Sequence, residues 1–257
     1  MPFDDFFERP PTEGIPGSRV RFDPDDALLQ HYGLQADALP LSTNVLYLHT
    51  GAAHLLVDAG GAADGDASAA LGQLGLSPAE VDAIILTHGH WDHIGGLLTP
   101  EGALRYPNAA YWMAYREVDF WTNGPALTQL GGEMEMVARA VMPQIAERLR
   151  VIEPEGEILP GISAVNAPGH TIGQIALMIE SNGEALLHLA DAAHHPVQVA
   201  YPDWTCSLDL MPETSPETRR RLFELAVARK AQVMAYHFPF PGLGRIIQTG
   251  TGYTFEA

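Results

Sequence analysis

Residues 81–93 read VDAIILTHGHWDH. The stretch Ala83-Ile84-Ile85-Leu86 is short, unbroken and apolar, the pattern of a strand covered on both faces. It runs straight into His88, His90, Asp92 and His93, four ligand-type side chains within six positions. In an extended chain, side chains two apart point the same way, so His88 and His90 address one point, and Gly89 adds no bulk between them. Asp92 and His93 lie one turn onward, where a helix begins, and face a second point. Ile94-Gly95-Gly96 then permits close backbone packing. Neutral imidazoles and carboxylates delivered from a rigid strand end are what a zinc or iron pair requires. A histidine-rich surface turn is the plainer reading, and it leaves the buried strand in front of the cluster unexplained.

Working outward, Ser77-Pro78-Ala79-Glu80 has capping-box spacing just before that strand. Upstream, residues 44–49 and 54–57 are β-rich runs joined through Thr50-Gly51-Ala52-Ala53, a hairpin signal, and Asp58 follows the second run. Downstream, residues 109–113 read as a strand, and 133–148 as a helix with Met136, Val137, Ala140 and Ile145 on one side. Residues 161–165 read as a strand that ends at Pro168-Gly169-His170. Residues 174–179 and 184–189 flank Ser181-Asn182-Gly183, a tight hairpin turn, and Asp191 comes next. Ser215-Pro216 starts a helix, with Ser215 as its cap, that runs to about Lys230. Residues 232–235 form a last strand and deliver His237. Hairpins alternate with helices in a half-pattern that repeats, so the expected fold is α+β, a four-layer αββα sandwich. Residues 1–40 read as an N-terminal extension, an arm or a helix, and residues 41–257 as one domain.

Composition narrows the partners. The chain has 257 residues and a net charge of −18, with 14 Lys and Arg against 32 Asp and Glu. Such a surface repels phosphate backbones and anionic lipids, so neither nucleic acid nor membrane is an expected partner. The single cysteine, Cys206, excludes an intrachain disulfide and reads as a small buried residue. The first residues lack a basic start and apolar run, and no stretch is apolar enough to span a bilayer, so a cytoplasmic location is the expectation. A homodimer is left open.

His170, Asp191 and His237 each have an ordinary alternative, as a solvated turn histidine or a turn-capping carboxylate. They share one property with the first cluster, in that all follow predicted strand ends, which converge on one edge of a sandwich. The run His88-Gly89-His90-Trp91-Asp92-His93, followed by His170, Asp191 and His237 in that order, resembles the metallo-β-lactamase superfamily over residues 41–248. The resemblance implies that His88, His90 and His170 bind a first metal, that Asp92, His93 and His237 bind a second, and that Asp191 bridges them. It implies a structural role beneath the site for Asp58, whose alternative is a turn cap. Two zinc ions are implied, because the flavodiiron branch carries Glu where this chain has His90; iron, manganese and cobalt remain compatible with these ligand types.

The implied activity is hydrolysis by a hydroxide bridging two metals, with Asp92 relaying a proton to the leaving group. True β-lactamases of the superfamily lack the carboxylate that Asp191 supplies. Glyoxalase II-like members need basic residues, and only Arg245 follows Tyr236. The segment HFPFPGLG at 237–244, together with His194, resembles the methyl parathion hydrolase-like branch. Acyl-homoserine lactonases usually carry Tyr at the position of His194, and they are the alternative. His194 reads either as a catalytic group at the substrate or as a solvated histidine. Trp91, Phe238 and Phe240 are the expected pocket walls, with Tyr201 and Trp204 as further candidates. The expected partner is a small, neutral, fairly hydrophobic ester, lactone or phosphotriester. A metal-binding protein that keeps the fold without catalysis is the reading from another class.

Overall fold

The computed structural model describes residues 7–9, 20–21, 30–32, 39–61 and 67–257. The chain divides into two compact units, one of residues 1–44, 155–172 and 176–257, the other of residues 45–154 with 173–175.

The second unit is built on a five-stranded sheet in the order Leu46–His49, His54–Val57, Ala83–Leu86, Ala110–Ala114, Leu149–Ile152. The first pair is the expected hairpin, antiparallel, and every other neighbour is parallel. Ala83–Leu86 is buried at every position, as a central parallel strand must be when both faces are covered. The Ser77/Glu80 capping box forms, but it closes a single 3-10 turn, Pro78–Glu80. Helices Tyr115–Thr122 and Gly124–Leu130 escaped the sequence reading. The helix expected at 133–148 runs Gly132–Ile145 and ends in a 3-10 turn, Ala146–Arg148. Its buried face is Ala138, Val141, Met142 and Ile145, which follow the i, i+3, i+4, i+7 rule. Met136 breaks that spacing and is 64% exposed, so its expected core role is corrected.

The first unit holds a seven-stranded sheet in the order Gly252–Glu256, Leu243–Thr249, Gln232–Met234, Glu184–His188, Ile175–Ser181, Ile162–Asn166, Gly156–Leu159. Asn182 and Gly183 both take positive φ in the hairpin turn, as a two-residue turn between twisted strands demands. Glu184–His188 pairs in parallel with Gln232–Met234, so the residues after these strands, Asp191 and His237, leave from the same edge. Helix Ser215–Arg229 packs Leu222, Phe223 and Ala226 into the core of this unit. Its cap position is taken by Thr214 and Ser215 is the first helical residue, so the helix begins one place earlier than expected. Lys230 ends the helix in the left-handed conformation, with its N–H on the carbonyls of Ala226 and Val227. Short strands Phe7–Arg9 and Val20–Arg21 pair with each other, and the former also with Thr205–Cys206. Most of the 1–40 extension lies outside the described residues. Among the described residues no helix is long and apolar enough to cross a membrane.

Candidate metal centre

In the second unit, the strand ends themselves assemble the ligand cluster. His54–Val57 and Ala83–Leu86 are parallel neighbours, so Asp58 and Thr87 emerge side by side. Asp58 Oδ1 accepts the Thr87 N–H at 2.8 Å, and Oδ2 accepts the Thr87 hydroxyl at 2.8 Å. The same carboxylate lies 2.8 Å from His93 Nδ1. Thr87 has spent its proton on Asp58, so its oxygen is left to accept from His88 Nδ1 at 3.1 Å. His88 and His93 are thus held as Nδ1–H tautomers with Nε2 lone pairs turned away from the support. Asp58 has φ 61°, a left-handed backbone that its three hydrogen bonds stabilise. His93 Nε2 lies 3.8 Å from Asp92 Oδ2. The helix carrying Asp92 and His93 is one turn, Trp91–Ile94. A Cβ on Gly96 would stand 2.1 Å from the Ala59 carbonyl oxygen, so only glycine allows that approach.

In the first unit, Asp191 is the hub. Its Oδ2 lies 3.0 Å from His237 Nε2, 3.3 Å from His170 Nε2 and 3.4 Å from His194 Nε2. Behind these rings, His237 Nδ1 lies 2.9 Å from the Ser42 carbonyl oxygen, and His170 Nδ1 lies 2.9 Å from Asp209 Oδ1. Both outer partners only accept, so each Nδ1 carries the proton. In a neutral ring, Nε2 then presents a lone pair to the lone pairs of Asp191. Two electron-rich atoms at about 3 Å repel unless a cation lies between them or both rings are imidazolium. The donor chemistry fits a divalent metal, with outer acceptors that fix each tautomer.

Asp209 also accepts the Cys206 N–H. Burial, the largest single effect, would raise its carboxyl, but the bond from His170 and the charges of neighbouring groups, Arg219 among them, together outweigh it and hold the pKa below the usual value. His194 is buried, and desolvation pushes its pKa down to about 4 against the pull of Asp191, so its ring is neutral at pH 7. It stacks on His237 at 5.3 Å and donates its backbone N–H to Gln198. Arg219 ties down the loop that follows Asp191, donating to the carbonyls of Ala192, Pro202 and Trp204. Cys206 is buried, as read from the sequence, and burial holds its thiol well above its ordinary pKa.

The pocket reading needs correction. Phe238 is wholly buried in the core of the first unit, edge-on to Phe255 at 5.0 Å. A ring with no open surface packs and does not line a pocket. Phe240 is 86% exposed, too open to form a wall. Trp91 is half-buried. Tyr201 and Trp204 stack at 4.5 Å. Asp209 and Glu117 were not read from the sequence, where a lone acid after a strand or on a helix looks like a solvated residue. Only burial sets them apart.

Residues 38–235 match the family described as the metallo-beta-lactamase superfamily. The chain belongs to this superfamily. Its members with similar sequence include a probable metallo-hydrolase of Mycobacterium tuberculosis, 30% identical over 135 residues, which are 48% of this chain. The present chain spans only 40% of that relative's length. An N-acyl homoserine lactonase of Bacillus thuringiensis is 26% identical over 176 residues, covering 65% of this chain and 60% of that one. Among solved metallo-β-lactamase folds, hydrolase AbOPH superposes with a TM-score of 0.81 at 26% identity, over 89% of this chain and 84% of that one. AidC, a dizinc quorum-quenching lactonase, superposes with a TM-score of 0.78 at 24% identity, over 89% and 83% of the two chains. The fold is therefore the α+β metallo-β-lactamase fold.

Proposed function

We propose that this member of the superfamily is a hydrolase that holds two divalent ions, zinc in the first instance. In this reading His88, His90 and His170 hold one ion, Asp92, His93 and His237 the other, and Asp191 is shared. The observation that carries the proposal is the set of imidazole Nε2 atoms turned on Asp191 while His170 and His237 donate from Nδ1 elsewhere. When bound, such a pair of ions supplies an activated water and a Lewis acid for the substrate oxygen. The chain's own share is orientation and proton handling. Asp58, Asp209 and the Ser42 carbonyl hold the rings in one tautomer. In this reading Asp92 takes and returns a proton, and neutral His194 offers a hydrogen bond to a leaving oxygen.

The substrate proposed is a small, neutral, fairly hydrophobic lactone or ester. The lactonase named among the relatives supports the lactone arm. A phosphotriester is the second reading, favoured by His194 and the 237–244 segment. Purified protein should carry close to two zinc equivalents per chain and hydrolyse acyl-homoserine lactones, and a chelator should abolish turnover reversibly. Turnover of an aryl phosphotriester alone would select the second reading. Full metal content without turnover across lactones, esters and phosphotriesters would select a binding protein, and folded protein that takes up no metal would overturn the proposal.

A further inference from the structure

We infer that Glu117 is a positioning residue for His88 and His90, acting through the amide of Gly89 between them. The inference rests on the reading of those histidines as metal ligands. Glu117 lies on helix Tyr115–Thr122 and is wholly buried. Its Oε2 accepts the Gly89 N–H at 3.1 Å and the Trp121 indole N–H at 2.5 Å. Its Oε1 accepts the Gly173 N–H at 2.8 Å. A carboxylate offers only acceptors, and three N–H donors converge on it, so the match is complete in sign. Charge-assisted bonds of this kind are roughly twice as strong as neutral ones.

The Gly89 amide is the critical one. It belongs to the His88–Gly89 peptide, whose plane bears directly on the Cα–Cβ bond of His88 and reaches His90 one residue on, through the backbone of Gly89. The peptide is also wedged sterically. A Cβ on Gly89 would meet the Trp121 ring at 2.4 Å, and one on Gly173 would meet Arg116 Cβ at 2.6 Å. The same indole stands edge-on to the His90 ring at 5.6 Å. One buried carboxylate therefore fixes the amide between two ligands, the aromatic wall beside one of them, and the segment that begins at Gly173. Asp58 orients a ligand by touching its ring. Glu117 acts through the backbone, on the Gly89 amide.

Glu117→Gln tests this. An amide must turn its NH₂ toward at least one of the three donors, which expels that donor while keeping size and shape. Glu117→Asp, one methylene shorter, keeps the charge and loses reach. The probe is cobalt(II) added to metal-free protein, with affinity measured by chelator competition and geometry read from the visible absorption bands. Outer partners of metal sites are typically worth 10–100-fold in affinity. We expect a loss of that size with altered bands in E117Q, and a smaller loss in E117D. Val141→Ala, a core truncation in the same unit, is the control. It should lower the melting temperature and leave cobalt affinity and bands unchanged. Circular dichroism confirms that each variant is folded at the assay temperature. Wild-type affinity and bands in both folded Glu117 variants would overturn the inference alone. Wild-type protein that binds no cobalt would overturn the ligand reading and the inference with it.

Discussion

His237 faces two acceptors at once: Nε2 lies 3.0 Å from Asp191 Oδ2, and Nδ1 lies 2.9 Å from the Ser42 carbonyl oxygen. A neutral imidazole has one proton and cannot serve both, so the Asp191 side calls for a bound cation or a further proton, and the proposed function takes it to be the cation. Binding to the native state alone stabilises by about 4 kcal/mol when the free ion stands a thousandfold above its Kd. Chelation should therefore lower the melting temperature by roughly 10 °C in a domain of this size. Calorimetry with and without chelator checks this. Equal melting temperatures, with metal shown to be removed, would mean that the rings are held by protons instead.

Asp58→Asn isolates the support beneath His88 and His93. Asparagine tolerates the left-handed backbone at this position about as well as aspartate, so the turn should survive. The amide accepts through one oxygen only, and the Thr87 N–H, the Thr87 hydroxyl and His93 Nδ1 cannot all remain satisfied. Stability should fall by about 1–3 kcal/mol, and metal affinity by about 10–100-fold. Denaturant unfolding and chelator competition measure the two separately. A drop in stability with unchanged affinity would make Asp58 a turn cap and nothing more.

Lys230→Gly should stabilise the chain by about 0.5–1 kcal/mol without changing turnover. Lys230 stands just past helix Ser215–Arg229 with φ 51°, a conformation that costs an L-residue about 1–2 kcal/mol, part of which glycine returns as extra chain entropy. The Arg245 bond to this residue goes to its backbone carbonyl and survives the change. A shift in urea midpoint to lower concentration would contradict the account.

His195 should make the protein acid-sensitive. Burial pushes its pKa down to about 4, and its Nδ1 accepts the Val197 N–H at 3.2 Å. As pH falls from about 6.5, the unfolded chain takes up this proton first, so stability declines until about pH 4 and then levels. The contribution is on the order of 3 kcal/mol. His195→Phe keeps an aromatic partner for Tyr32 and should flatten that part of the stability profile. An unchanged slope would assign the acid sensitivity to other groups.

What could be read from the chain alone was what short-range pattern controls. The buried run Ala83–Leu86, the hairpin about Asn182-Gly183 and the order of His and Asp residues after strand ends all sit in local spacing. The carboxylates that hold the histidine rings and the Gly89 amide do not. Asp209 meets His170 across 39 residues, and Glu117 meets Gly89 across 28. Nothing in their immediate neighbours distinguishes them from surface acids. Phe238 and Phe240 show the converse limit, since adjacency to His237 said nothing about which ring turns inward. Met136 failed for a related reason, because a loosely apolar side was taken for the strict stripe through Ala138, Val141, Met142 and Ile145.

The solitary thiol of Cys206 offers a built-in clock. It is sealed from solvent in the Thr205–Cys206 strand, opposite Phe7, and its raised pKa keeps it unreactive while the strand stays closed. Any alkylation of native protein therefore counts openings of that strand, at a single chemically defined position.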